Sequence, residues 1–175
     1  MKKKELLAQQ QRLDEYNQNI LNQFGYIASS SSANLTNNSL PRQTTAQKLA
    51  EIEKMDNIQF EFYLSRIFTY KGCTVKFTPV IDDYGADMVV EKGGVVTAVR
   101  CLITKEILGC EVVYDSLKAL SAYSCDQCMV ITNGYFNSAA VKHAKGKKIV
   151  LVDKDTLIED FINIKLAEQL ETPKD

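Results

Sequence analysis

Two rhythms of apolar residues run along this chain. Leu6, Leu13 and Ile20 recur every seven residues, with Tyr16 and Phe24 beside them, so residues 1–27 read as a polar amphipathic helix. Such a helix is marginal alone and should pack on something: its own domain, a second copy or a larger assembly. Ser and Asn dominate residues 28–43, where no apolar period survives, and this stretch reads as a flexible linker. Helix resumes near Thr44 or Thr45, either of which can cap, and runs through Leu49, Ile52 and Met55. Phe60, Leu64, Ile67 and Phe68 then mark one helical face, which stops at Lys71-Gly72.

Beyond that stop the period shortens to two. Residues 74–78, 86–90 and 95–103 read as strands, the last two joined through Gly93-Gly94, a two-residue hairpin signal. Residues 111–123 return to helix with Val112, Leu117 and Leu120 inward. Residues 129–132 and 149–152 are short apolar runs suited to buried strands, with a short helix over 138–144 between them. A closing amphipathic helix is expected over 156–170. The order predicts an α/β domain over 44–171: a mixed sheet flanked by helices on both faces.

Composition narrows the function classes. At 175 residues, the chain has room for one domain with a core that needs no disulfide or metal. Nothing approaches the roughly 18 apolar residues of a membrane helix. The basic start at Lys2–Lys4 gives way to Gln9–Gln11, so no signal peptide is read and a cytoplasmic location is expected. Lys and Arg number 21 against 22 Asp and Glu. Any grip on nucleic acid must therefore be a local patch.

Among the five cysteines, Cys73, Cys101 and Cys110 sit between apolar residues and read as small hydrophobes. Cys125-Asp-Gln-Cys128 is the one CxxC. Zinc would want a second pair or more histidine than His143 alone, and a redox pair should open a helix, whereas this one precedes a strand. A structural role is expected for Cys125 and Cys128.

The hairpin register follows from its loop. With Gly93 and Gly94 as the turn, Lys92 faces Val95 and Asp87 falls opposite Arg100. Met88, Val90, Val99, Cys101 and Ile103 then share an apolar face, while Asp87, Val89, Ala98, Arg100 and Leu102 share the other. An acid and a base meeting there would stabilise the hairpin by up to about 1 kcal/mol.

Several of these stretches occur together in a known series. Phe60-Glu61, Lys71-Gly72, Gly85-Ala-Asp87, Val99-Arg-Cys-Leu102 and Ile131-Thr-Asn-Gly-Tyr-Phe136 resemble the Mrr-type restriction endonuclease domain, of the PD-(D/E)xK nuclease fold. Ala139-Ala-Val-Lys-His-Ala144, Ile149-Val-Leu-Val-Asp153 and Leu157 fit its ending, so the likeness covers about residues 55–165. It implies metal-dependent DNA cleavage in defence against foreign or modified DNA. The family pattern asks for Glu on the first helix, Gly-x-Asp at a strand start, and Gln-x-Lys or Glu-x-Lys on the next strand. A hard divalent cation wants oxygen ligands, and the lysine positions water and adds positive charge.

Glu61 and Asp87 match that pattern; Arg100 and Leu102 depart from it. Leucine has neither donor nor charge. Arginine offers no lone pair and stays charged. Two unit charges ~4 Å apart interact by about 4 kcal/mol at an effective dielectric of 20, and a divalent ion fares worse against arginine. The expectation is that the Arg100 guanidinium replaces the cation, bridging Asp87 and Glu61, and that the site is degenerate. Lys105 is the possible rescue lysine, with Lys76 behind it. Asp82-Asp83 reads first as a solvated loop.

Lys142, Lys145, Lys147 and Lys148 around Gly146 form the best local basic patch, suited to DNA phosphates or to a solvated helix end. Thr132-Asn133-Gly134 reads as a turn, either a plain connection or one that approaches ligand. The reading is therefore a cleavage-deficient Mrr-like domain that serves as a DNA-binding or protein-docking module, with no cofactor expected and no membrane partner. The alternatives are an active Mg²⁺ endonuclease with a rearranged site, with Asp87 and Glu61 as metal ligands, and a structural subunit assembled through residues 1–27.

Overall fold

The structure, a computed structural model, describes residues 44–79 and 84–163. The expected N-terminal helix and linker, Asp82-Asp83, and residues 164–171 lie outside these. Two helices open the described part, and the same device starts both. Thr44 caps α1 (Thr45–Ile52), its hydroxyl accepting the Gln47 N–H while Gln47 reaches back to the Thr44 N–H. Asp56 and Gln59 repeat this reciprocal pair at α2 (Asn57–Tyr70). Each box satisfies N–H groups that a helix start leaves unpaired. Lys71 caps the end of α2, and Gly72 takes the left-handed conformation that follows it.

The chain then builds strands β1 (Thr74–Phe77), β2 (Met88–Lys92) and β3 (Val95–Leu102). Gly93 and Gly94 both have positive φ, the pairing a right-twisted two-residue hairpin requires. The ladder runs from Lys92↔Val95 to Met88↔Val99, which is the register expected from the loop. Helices α3 (Cys110–Leu117) and α4 (Ala119–Ala122) lead to β4 (Gln127–Thr132). Helix α5 (Ser138–Ala144) leads to β5 (Ile149–Val152), followed by α6 (Lys154–Leu157) and a π-helical turn over Ile158–Asn163.

The strands lie in the order β1-β2-β3-β4-β5. The β1–β2 and β2–β3 pairs are antiparallel; β3–β4 and β4–β5 are parallel. The sheet is therefore mixed. It carries a core on each face. Ile52, Phe60, Leu64, Phe68, Leu157 and Phe161 cover one side, against Met88, Val99, Cys101 and Ile131. Val112, Val113, Ala119, Ala140 and Ala144 cover the other, against Ala98, Cys128 and Val130. A fully buried Leu or Phe contributes about 1.5–3 kcal/mol, so the period-3.6 face of α2 is a main source of stability.

Three expectations need correction. The helix expected over 111–123 is two helices that meet at Lys118. The closing helix expected from Thr156 begins at Lys154, where Asp153 accepts the Thr156 N–H, and turns π-helical at Ile158. The second strand starts at Met88, two residues later than its apolar pattern suggests. Ala86 is instead buried in the second core, after a left-handed turn at Tyr84 and Gly85. A period of two cannot show where a strand's backbone leaves the ladder.

Candidate active site

Asp87 stands at that departure point. Its N–H donates to the Val99 carbonyl at 2.8 Å, and its own carbonyl accepts the Thr78 N–H at 3.0 Å. Its carboxylate Oδ2 accepts the Cys101 N–H at 2.6 Å. The side chain thus replaces a carbonyl where the β2 ladder ends. The expected pairing of Asp87 with Arg100 across the hairpin is not part of the ladder, whose last pair is Met88↔Val99.

Side-chain alternation along β3 separates the remaining residues. Val99 and Cys101 enter the core under α2, while Ala98 and Leu102 belong to the core under α3–α5. Cys101 is 2 % exposed. Burial pushes its thiol pKa well up, and the nearby charges of Asp87 and Glu61 push it further. The charges of both acids thus reach Cys101, that of Glu61 from half-buried α2.

Arg100 points the other way. It lies on the Leu102 side of the sheet, where it faces α3. Asp115 of α3 has its carboxyl held below the usual range, first by a hydrogen bond from Lys118 at 2.7 Å and in smaller part by the Arg100 charge. Leu102 is half-buried against apolar neighbours.

Lys105 is exposed in the bend after β3. Lys76 lies opposite Val89 and lines an open pocket of 370 Å³ with Thr74, Thr78, Glu91, Val96 and Tyr123. The end of β3 is pinned instead by two asparagines. Asn57 Oδ1 accepts the Ile103 N–H at 2.9 Å, and Asn133 Oδ1 accepts the Thr104 N–H at 2.8 Å. Asn133 is 9 % exposed, so the Thr132-Asn133-Gly134 turn uses its side chain as an internal tie. Both ties escape a reading of the sequence, because each spans a long stretch of chain and leaves no local pattern.

The basic patch is exposed as expected: Lys142 on α5, then Lys145, Lys147 and Lys148 beyond it. Two residues not anticipated there join it. Tyr114 of α3 and His143 of α5 hold their ring centroids 4.1 Å apart at 50°, and the Lys147 ammonium contacts His143 Nε2. This surface lies across the sheet from α2 and Glu61.

The CxxC cysteines are packed thiols. Cys128 is fully buried, and its Sγ donates to the Ser116 carbonyl at 3.0 Å. Burial, then the neighbouring Cys125, raise its pKa to about 11. Burial raises Cys125 too, and Asp126 adds to it. A redox pair needs a depressed thiol, the reverse of this.

A mixed five-stranded sheet with helices on both faces and two acids gathered at the β2–β3 end defines a restriction-endonuclease-like domain. The chain belongs to the Mrr-type family: Mrr_cat, restriction endonuclease, matches residues 52–160. Among solved structures, the protein of unknown function AF1548 is similar at a TM-score of 0.52 and 18% identity, over 66% of this chain and 71% of that one. The DNA modification-dependent restriction endonuclease AspBHI is similar at 0.50 and 16%, over 71% of this chain and 38% of that one. The MspJI restriction endonuclease in complex with a 27-mer oligonucleotide has a TM-score of 0.47 and 17% identity, over 69% of this chain and 34% of that one. The chain therefore spans little more than a third of either endonuclease. At these identities the likeness is one of fold. No curated protein matches the chain.

The family implies a divalent cation at the acids. The residues present do not fit one well. One oxygen of Asp87 is taken by the Cys101 N–H, Arg100 brings charge without a lone pair, and Leu102 brings neither ligand nor amine. Among the described residues no group of three or more His, Cys, Asp or Glu is placed to hold a metal ion.

Proposed function

We propose that this chain is a cleavage-deficient member of the restriction endonuclease family that works in the cytoplasm as a DNA-binding module in defence. The observation that carries the reading is the departure of the chain from the family motif at two positions. Arg100 and Leu102 stand in the positions of the second ligand and the lysine, and one oxygen of Asp87 is taken by the Cys101 N–H. Without the motif lysine, the amine that would position a water and offset charge on a phosphate being cut is missing from its place. What supports a retained grip on DNA is the exposed cluster of Lys142, Lys145, Lys147 and Lys148. The chain as a whole carries no basic excess, so such a grip is local and steeply dependent on salt.

Plasmid nicking tests the first half. Incubation with Mn²⁺ or Mg²⁺ should leave supercoiled DNA intact. Nicking that disappears in Asp87→Ala would instead establish the active Mg²⁺ endonuclease with a rearranged site, served by Lys105 or Lys76. Gel shift tests the second half. Retardation should fall steeply with salt and vanish when the four lysines become alanine. Docking through residues 1–27 accompanies the proposal. If these residues drive assembly, a chain lacking them should sediment as a smaller species.

Among the described residues no helix is long and apolar enough to cross a membrane.

A further inference from the structure

We propose that Tyr114 and His143 form a stacking platform for an unpaired nucleobase, so that the lysine-bearing face takes single-stranded DNA in preference to duplex. This rests on the reading of the chain as a DNA-binding module and specifies what that module binds. Tyr114 is 54 % exposed, yet it is held firmly. His143 packs on it from α5, and Lys147 reaches both, lying 5.6 Å from the Tyr114 ring centroid while its ammonium meets His143 Nε2. The Tyr114 hydroxyl also lies 3.5 Å from His143 Nδ1. A surface aromatic fixed in this way gives up little conformational freedom when a second flat group lies against it.

The surrounding charge suits a nucleic-acid strand. Lys142, Lys145 and Lys148 are exposed within a few residues of the pair. Two carboxylates share the helix of Tyr114: Asp115 pairs with Lys118 at 2.7 Å, and Glu111 accepts the Gly109 N–H at 3.0 Å. Lys118 offsets the Asp115 charge, and the exposed lysines outnumber the one carboxylate of Glu111, which keeps its charge. Single strands are held by this combination of a cationic track and an aromatic face. In a duplex every base face is covered by its neighbours, so the rings can contribute only where a base is unstacked. Lysines alone would not discriminate in this way.

Fluorescence anisotropy with labelled oligothymidylate and with duplex, both about 20 nucleotides long, tests the proposal on the full chain. The wild type should bind the single strand more tightly. Tyr114→Leu keeps bulk but removes the aromatic face, and should weaken single-strand binding by about tenfold while leaving duplex binding unchanged. Tyr114→Phe should stay near wild type. Equal binding of both forms, or equal loss of both in Tyr114→Leu, overturns the platform but leaves the DNA-binding module standing, provided removal of the four lysines still abolishes retention. A wild type that binds neither form overturns both. His143→Ala, read in the same assay, keeps the test decisive if Tyr114→Leu does not fold.

Discussion

The carboxylate of Asp87 accepts the backbone N–H of Cys101 at 2.6 Å. This residue matches the family's metal-binding acid, yet here one of its oxygens completes the sheet. Cys101 is 2 % exposed, so its amide has no ready access to water.

Removing that acceptor should therefore destabilise the domain whether or not the protein ever cuts DNA. Asp87→Ala is expected to cost about 1–3 kcal/mol, the penalty of a buried unpaired amide. Asp87→Asn keeps a side-chain oxygen and should cost less. Urea unfolding of the three proteins checks the order. An Ala variant as stable as wild type would show that the bond contributes nothing. The same measurement is the necessary control for any nicking assay that uses Asp87→Ala.

Restoring the family motif should restore chemistry. The double variant Arg100→Gln, Leu102→Lys supplies a neutral ligand and an amine at the expected positions. Leu102 is only half-buried, so a lysine stem can lie along the α3–α5 core and carry its charge outward. The variant is expected to nick plasmid with Mn²⁺ above the wild-type level. A folded double variant that remains silent would show that the sheet geometry, and not the two side chains, blocks cleavage.

The raised thiols make stability depend on alkaline pH. Cys128 has its pKa pushed up to about 11, and Cys101 is raised by burial. In the unfolded chain both lose their protons near the ordinary thiol value, while the folded chain still holds them. The Cys128 contribution is thus complete below about pH 8.5 and is lost as pH climbs from there through about 11, and that of Cys101 has the same sign. Urea midpoints measured at rising pH should fall across that window and fall less in Cys128→Ala. At pH 8, native Cys128 should react with iodoacetamide on the order of 100-fold more slowly than a free thiol.

Gly85 should resist substitution. It has φ +78°, and a Cβ there would lie 2.6 Å from the Asp115 carbonyl oxygen on α3. The neighbour is backbone and cannot swing aside. Gly85→Ala is expected to destabilise by at least about 2 kcal/mol, combining left-handed strain with the clash. Thermal unfolding checks it, with Gly72→Ala as the comparison. That glycine has φ +78° as well, but no atom lies within 4 Å of its added Cβ, so its loss should be smaller.

The alternating residues of β2 and β3, the Gly93-Gly94 loop and the α2 stripe are short-range patterns. They suffice to read the hairpin register, the inward set Met88, Val90, Val99 and Cys101, and a mixed sheet with helices on both faces. The substitutions at 100 and 102 are equally plain in the residues themselves. Tertiary structure alone decided what the Asp87 carboxylate accepts. Asp87 leaves the ladder because β1 takes its carbonyl and β3 takes its carboxylate. Arg100 faces Asp115 because α3 packs on that side of the sheet. The Asn57 and Asn133 ties, and the meeting of Tyr114 with His143, likewise join residues far apart in the chain. A periodicity records which face a residue takes within its own element; the partner waiting on that face is set by how the elements pack.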